Sequence, residues 1–127
     1  MTDSIISGEL RKRLRNCTQT ADREYACEVE FDSSFRGFEG HFEGNPIVPG
    51  VCMIELARVQ AESVLGKRLK TTEISQCRFR SPVLGGMTAR CKMLIRPLDE
   101  CHVRIQSEIR IGDNAACQVR LKAEILP

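Results

Sequence analysis

The chain has 127 residues, enough for one domain of ordinary size that folds without metal or disulfide staples. Apolar residues make up 42% and charged residues 28%, the balance of a globular protein in water. A net charge of +2 is too small to argue for nucleic acid, and no apolar run approaches the roughly 20 residues of a membrane-spanning helix.

The first stretch, MTDSIISGELRKRLRN, carries its charges after its apolar residues and has no apolar core of leader length, so the expected location is the cytoplasm. Ser4 to Arg15 reads as a short amphipathic helix, with Ile5, Ile6, Leu10 and Leu14 as a broken stripe that Gly8 weakens. From Glu24 the period changes to alternation. Tyr25, Cys27, Val29 and Phe31 share one face, and Glu24, Glu28, Glu30 and Asp32 share the other, the pattern of a half-buried strand. Residues 33–49 are rich in Gly, Ser and Pro and read as loop.

Pro49-Gly50 opens a helix that runs to about Leu65 and stops at Gly66. Ile54, Ala57, Ala61, Val64 and Leu65 form one stripe; Val51, Cys52, Glu55 and Val59 form an adjacent one. The first half is apolar nearly all round, so it is expected to be wrapped by other structure. Residues 69–80 add a strand that ends at Pro82. Clean alternation then recurs along 87–95, 101–111 and 115–125, with Gly112-Asp113-Asn114 as the hairpin turn between the last two. The expected fold is α+β: a single domain over 1–127, with an antiparallel sheet laid around one buried helix.

Seven cysteines form no C-x-x-C pair, and their number is odd. Most fall at inward strand positions, so they read as small buried hydrophobes kept reduced, with no metal site. No Gly-rich phosphate loop follows a strand, and no nucleotide cofactor is expected. His102 falls on the wet face of its strand and reads as solvated. Cys52 would be a nucleophile only with a base at hydrogen-bond distance.

The most informative stretch is GHFEGNPIVPGVCMIE, residues 40–55. Gly40, His41, Phe42, Pro46, Pro49, Gly50, Val51 and Glu55 closely resemble the signature of 3-hydroxyacyl-acyl-carrier-protein dehydratases of the FabZ/FabA type. That family has the hot-dog fold, a curved sheet wrapped around a central helix. A second segment, RFRSPVLGG at 78–86, is similar to another of its blocks. The resemblance implies that His41 removes the C2 proton of a 3-hydroxyacyl thioester, a role suited to an imidazole that titrates near neutrality. It implies that Glu55 assists departure of the C3 hydroxyl, and a carboxyl beside Val51, Cys52 and Val59 would be partly desolvated and able to hold a proton. It implies that the Gly50 backbone N–H, at a helix N-terminus, stabilises the thioester oxygen; one such donor is typically worth about 3 kcal/mol in the transition state. Phe42, Pro49 and Val51 would line the acyl site. No cofactor is implied beyond the phosphopantetheine arm of the carrier that bears the substrate.

The implied partners are an acidic acyl carrier protein and a second copy of the chain. Pairing through the sheet would let His41 and Glu55 meet across a homodimer interface, and a trimer of dimers is a further assembly known in the family. Basic residues that could steer the carrier are Arg36, Arg78, Arg80, the Lys67-Arg68-Lys70 cluster and the Arg11-Lys12-Arg13-Arg15 cluster. Two departures from the signature stand out: Glu43 replaces the proline after His-Phe, and Gly85 and Met87 replace a proline and an aspartate. Glu43 would set a negative charge near His41, and the 85–87 loop is expected to be looser or differently shaped. A hot-dog acyl thioesterase, a FabA-like isomerase and a non-catalytic acyl-carrier-binding paralogue are the alternatives. The His-Phe and Pro-x-x-Pro-Gly spacing argues against the first. The Glu, where the isomerase branch carries Asp, argues against the second.

Overall fold

The computed structural model describes residues 4–38 and 47–127. Helix α1 (Ile5–Arg13) starts where Ser4 accepts a hydrogen bond from the Ser7 N–H through its side chain. It leads into strand β1 (Leu14–Ala21), a tight turn, and β2 (Glu24–Glu30). A short 3₁₀ turn, Arg36–Phe38, precedes the long helix α2 (Gly50–Leu65). Strands β3 (Leu69–Phe79), β4 (Thr88–Pro97), β5 (His102–Ile111) and β6 (Asn114–Ile125) complete the chain.

All neighbouring strands pair antiparallel, in the order β1-β2-β4-β5-β6-β3. Period-two alternation makes one face of this sheet apolar. Ala89, Cys91, Met93 and Ile95 of β4, Val103, Ile105 and Ile109 of β5, and Cys117, Val119, Leu121 and Ala123 of β6 are all buried. Against them pack Cys52, Met53, Leu56, Ala57, Val59 and Ala61 of α2. The sheet wrapped around one helix is the hot-dog arrangement, as expected. The helix ends where Gly66 takes a left-handed φ of 65° and its N–H bonds the Glu62 carbonyl at 2.9 Å, which closes the last turn.

Strand β1 is a difference from the sequence reading. Its residues, LRNCTQTA, show no alternation, and nearly all are exposed. It forms because β2 offers a free edge, and it bends at Asn16, whose φ is 52°, where the register slips between Arg15 and Thr18. Cysteine chemistry is a second difference. Cys17 on β1 and Cys27 on β2 are joined as a disulfide, so this pair is not reduced. Cys52, Cys91 and Cys117 are free and buried, as expected of small hydrophobes. Buried polar groups inside α2 are a third: Arg58 is 6% exposed and Gln60 is fully enclosed, with Gln60 Nε2 donating to the Cys91 carbonyl at 3.1 Å.

Helix α1 anchors the loop that follows β2. Glu9 accepts from the Arg36 N–H at 3.0 Å, and Arg13 donates to Asp32 (3.3 Å) and Ser34 (3.0 Å) while its guanidinium lies 5.3 Å from the Phe35 ring centroid. Phe31, Phe35 and Phe38 stack edge to face, each neighbouring pair of centroids 5.2 Å apart. Arg13 is therefore a buried tether and not part of a surface patch, because its side chain is 10% exposed and held by Glu9 and Asp32.

Lys12, the Arg36 backbone N–H and the Arg13 charge hold the Glu9 carboxyl below the usual glutamate value of 4.5, against an opposing effect of burial. A depressed folded-state value adds stability above the unfolded value and loses it as pH falls through the folded one. The stability difference between the protein and its Glu9→Gln variant is thus expected to be full above pH 4.5 and to shrink below it. Urea unfolding of both proteins across that window checks this.

Candidate active site

The segment 83–87 and the start of α2 are tied together. Val48 N–H donates to the Val83 carbonyl at 2.7 Å, and Ile47 bridges Leu84. The same segment is tied to the end of β2, since Phe31 N–H bonds the Met87 carbonyl (3.1 Å) and Gly86 N–H bonds the Phe31 carbonyl (2.7 Å). Gly86 has a φ of 89°, a conformation that favours glycine. Met87 accepts the Leu84 N–H through its sulfur at 3.4 Å. Backbone bonds to two elements hold the 85–87 segment.

Pro49 is the N-cap of α2 and supplies no side-chain cap. Cys52 and Met53 N–H both reach the Pro49 carbonyl, at 3.0 and 3.3 Å. Among the described residues, the Gly50 and Val51 N–H groups have no acceptor, so the helix presents open donors at its positive end. The Phe79 ring lies over Gly50: a Cβ there would stand 2.8 Å from its Cζ, so the ring would have to shift. Val51 is 72% exposed, and Phe79 is 55% exposed. The first turn of α2 is therefore not wrapped on all sides, contrary to expectation; its outer side faces solvent beside the free edge of β3.

Glu55 lies on the second turn of the same helix, with its side chain 29% exposed. Its setting is not the apolar one expected. Oε1 accepts from Ser7 Oγ at 3.0 Å and from Arg58 Nε at 2.6 Å, and Arg58 Nη2 closes an ion pair with the same oxygen. The reason is local: Glu55 and Arg58 are three residues apart and share a helix face, and α1 brings Ser7 over them. Arg58 is itself fixed by the Leu69 carbonyl (3.1 Å), Ser7 Oγ (3.2 Å) and Glu62 Oε2 (2.9 Å). Glu62 also pairs with Arg11 at 2.9 Å, so Arg11 too is engaged. Every described contact of the Glu55 carboxyl is made by Oε1; Oε2 has no partner among the described residues.

His41 and Phe42 lie outside the described residues, as does Glu43. The structure brings Pro49, Gly50, Val51 and Glu55 together on the first turns of α2. Sequence reasoning missed Ser7, Arg58 and Glu62. The spacing Glu55, Arg58, Glu62 was a legible signal, an alternating-charge ladder of i,i+3 and i,i+4 steps on one helix face.

Cys52 is 2% exposed, and burial, with the Glu55 charge second, pushes its thiol up to about 11. At pH 7 only about one thiol in 10,000 would then be ionised, which removes it as a nucleophile. Cys52 is expected to resist iodoacetamide in the native protein at pH 7 while exposed Cys101 is alkylated, as read by peptide mass spectrometry. His102 is not simply solvated: its Nδ1 lies 2.9 Å from Asp99 Oδ1, and Nε2 is 4.0 Å from Glu124 Oε2.

The antiparallel sheet wrapped around α2 defines the class: a hot-dog fold. A family model described as ApeI dehydratase (ApeI-like) matches residues 17–119. The chain belongs to this ApeI-like dehydratase family. A curated relative from Alkaliphilus metalliredigens, named 3-hydroxyacyl-acyl-carrier-protein dehydratase FabZ, is 36% identical over 91 residues, which cover 66% of this chain and 62% of the relative. A protein of the same name from Rhizorhabdus wittichii is 33% identical over 98 residues, covering 69% of this chain and 62% of the relative. The chain thus spans less than two thirds of these relatives' own length. Among solved structures, the dehydratase heterocomplex ApeI:P from Xenorhabdus doucetiae aligns with a TM-score of 0.70 at 22% identity, covering 87% of this chain and 96% of that one. A mutant thioesterase from Pseudomonas aeruginosa aligns with a TM-score of 0.67 at 12% identity, covering 94% and 85%. These two structures share the fold. No helix among the described residues is long and apolar enough to cross a membrane.

Proposed function

We propose that the chain dehydrates a (3R)-hydroxyacyl thioester carried on acyl carrier protein to the trans-2-enoyl thioester, in fatty acid or related acyl-chain synthesis. The observation that carries this reading is the pairing, on one helix, of open Gly50 and Val51 N–H donors with a Glu55 carboxyl anchored through one oxygen only. The thioester oxygen, held at the helix start, takes up charge as the C2 proton leaves. His41 takes that proton, the C2–C3 double bond forms as the C3–O bond breaks, and the proton held on His41 passes to the departing hydroxyl, which leaves as water. The open Oε2 of Glu55 meets the C3 hydroxyl as it leaves. Elimination of water is redox-neutral and needs only acid, base and oxyanion groups, so no cofactor enters beyond the carrier's phosphopantetheine. Pro49, Val51 and Phe42 border the acyl group.

The second copy of the chain is proposed to add at β3. Both β1 and β3 are sheet edges, but only β3 presents large exposed apolar side chains, Ile74 at 48% and Phe79 at 55%. Val51 and Ile47, exposed on the neighbouring segment, extend that apolar surface. An uncovered edge of this kind is a template for strand pairing. A homodimer joined there sets each α2 start beside the partner. The carrier would approach over Lys67, Lys70, Arg78 and Arg80, all exposed.

Hydration of crotonyl thioester, the reverse reaction, tests the reading by loss of enoyl absorbance. Loss without free thiol supports dehydratase chemistry. Release of thiol identifies a thioesterase. No turnover at any chain length, with carrier binding retained, identifies a non-catalytic carrier-binding protein.

A further inference from the structure

The face of the sheet turned away from α2 carries an arrangement that the acyl chemistry does not use. Register places Arg96 of β4 directly across from Arg104 of β5, and Arg104 directly across from Lys122 of β6. Like charges directly opposite on neighbouring strands weaken their pairing. Here three cations stand in one row with Arg104 flanked on both sides. In the next row of the same face, Leu94, Gln106 and Arg120 lie side by side.

These rows enclose a cavity of about 260 Å³ lined by Leu94, Arg96, Arg104, Gln106 and Arg120. It continues into a larger trough of about 550 Å³ that shares Leu94, Gln106 and Arg120. With its amide turned to suit the donors, Gln106 accepts from Arg120 Nε at 2.9 Å and Nη2 at 2.7 Å, so that guanidinium is held in place before any ligand arrives. Among the described residues, neither Arg96 nor Arg104 has a carboxylate partner. No carboxylate lines the smaller cavity: Glu24 stands across from Leu94 and borders the trough together with Glu108, which pairs with Arg110 and Gln118, while Glu124 lies near His102 and Glu73 stands across from Lys122 at the far end of the row.

We infer that this face binds the phosphate group of a small phosphate monoester. Guanidinium forks match phosphate oxygens two at a time, and a phosphate monoester brings a charge of about −2 that a single carboxylate does not. The apolar wall of Leu94 and the adjoining trough leave room for the group esterified to the phosphate. The site is independent of α2, so it stands whether or not Glu55 takes part in dehydration.

The test is thermal unfolding and calorimetric titration of the full chain with inorganic phosphate and with glycerol 3-phosphate, against sodium chloride of equal ionic strength. Saturable binding of both phosphates, with a rise in Tm that chloride does not give, is expected. Arg104→Gln should weaken that binding at least tenfold, and Lys122→Gln should weaken it less. In phosphate-free buffer Arg104→Gln should be as stable as the parent or more so, because it breaks the row of like charges. Phosphate effects no larger than those of chloride, or binding unchanged in Arg104→Gln, would overturn the assignment. Binding to vesicles containing phosphatidylglycerol or to an acidic protein, without binding of either free phosphate, would overturn it too and make the face a macromolecular docking surface.

Discussion

Glu55→Gln is expected to give a folded protein whose turnover falls about a hundredfold or more, the usual size of a lost acid–base or hydroxyl-directing group. Glutamine keeps an acceptor for Ser7 Oγ and Arg58 Nε, the groups now on Oε1 at 3.0 and 2.6 Å. What it loses is the second carboxyl oxygen, the one without a described partner. The substrate contacts proposed at Gly50 and Val51 would stay in place, so KM should move little while kcat drops. Initial rates over a substrate series, with Tm measured alongside, check the split. A variant with full turnover would mean that Glu55 is only a link in the α1–α2 contact.

Arg58→Ala is expected to be the most damaging single change to stability outside the apolar core. The guanidinium is 7% exposed and joins Glu55, Glu62, Ser7 and the Leu69 carbonyl. Removing it leaves two carboxylates, two turns apart on one helix face, without the cation between them, and one carbonyl without its donor. Breaking a buried ion pair from one side costs about 3 kcal/mol or more, which is about 10 °C in Tm for a chain of this size. Thermal unfolding reads the loss. Activity measured well below the variant's Tm reads a second effect: Glu55 would no longer be anchored, so kcat should fall more than KM rises. That split separates a positioning role from a merely structural one.

The parts of the fold that were legible in the sequence are those where one local signal ruled. Pro49 and Gly66 bracket α2 because proline cannot extend a helix backward and glycine accepts a φ of 65°. The three last strands followed from period-two alternation on a sheet with one dry face. Strand β1 was hidden because an exposed edge strand needs no apolar alternation; only its partner β2 makes it a strand. The disulfide was hidden for a similar reason, since Cys17 and Cys27 become neighbours only through that pairing. Of the site, the open helix start at Pro49-Gly50 could be read from the residues, and the position of Glu55 on α2 could too. The surroundings of Glu55 could not, because Ser7 is 48 residues away in the chain and arrives through tertiary packing of α1. The apolar letters around Glu55 therefore suggested a dry carboxyl, and the fold supplied a guanidinium and a hydroxyl. His41 and Phe42, on which the family resemblance leans hardest, fall outside the described residues.

The central claim is that an imidazole from one protomer and a carboxyl from its partner serve a single acyl chain. Subunit mixing tests it most directly. His41→Ala and Glu55→Gln are each prepared, dissociated, mixed in equal amounts and reassociated, and hydration of crotonyl thioester is followed. Random pairing gives mixed dimers with one intact site, and about a quarter of the parent activity should return from two nearly inactive proteins. Activity that stays at the level of the separate variants, in a mixture shown to contain mixed dimers, would contradict a site shared between subunits.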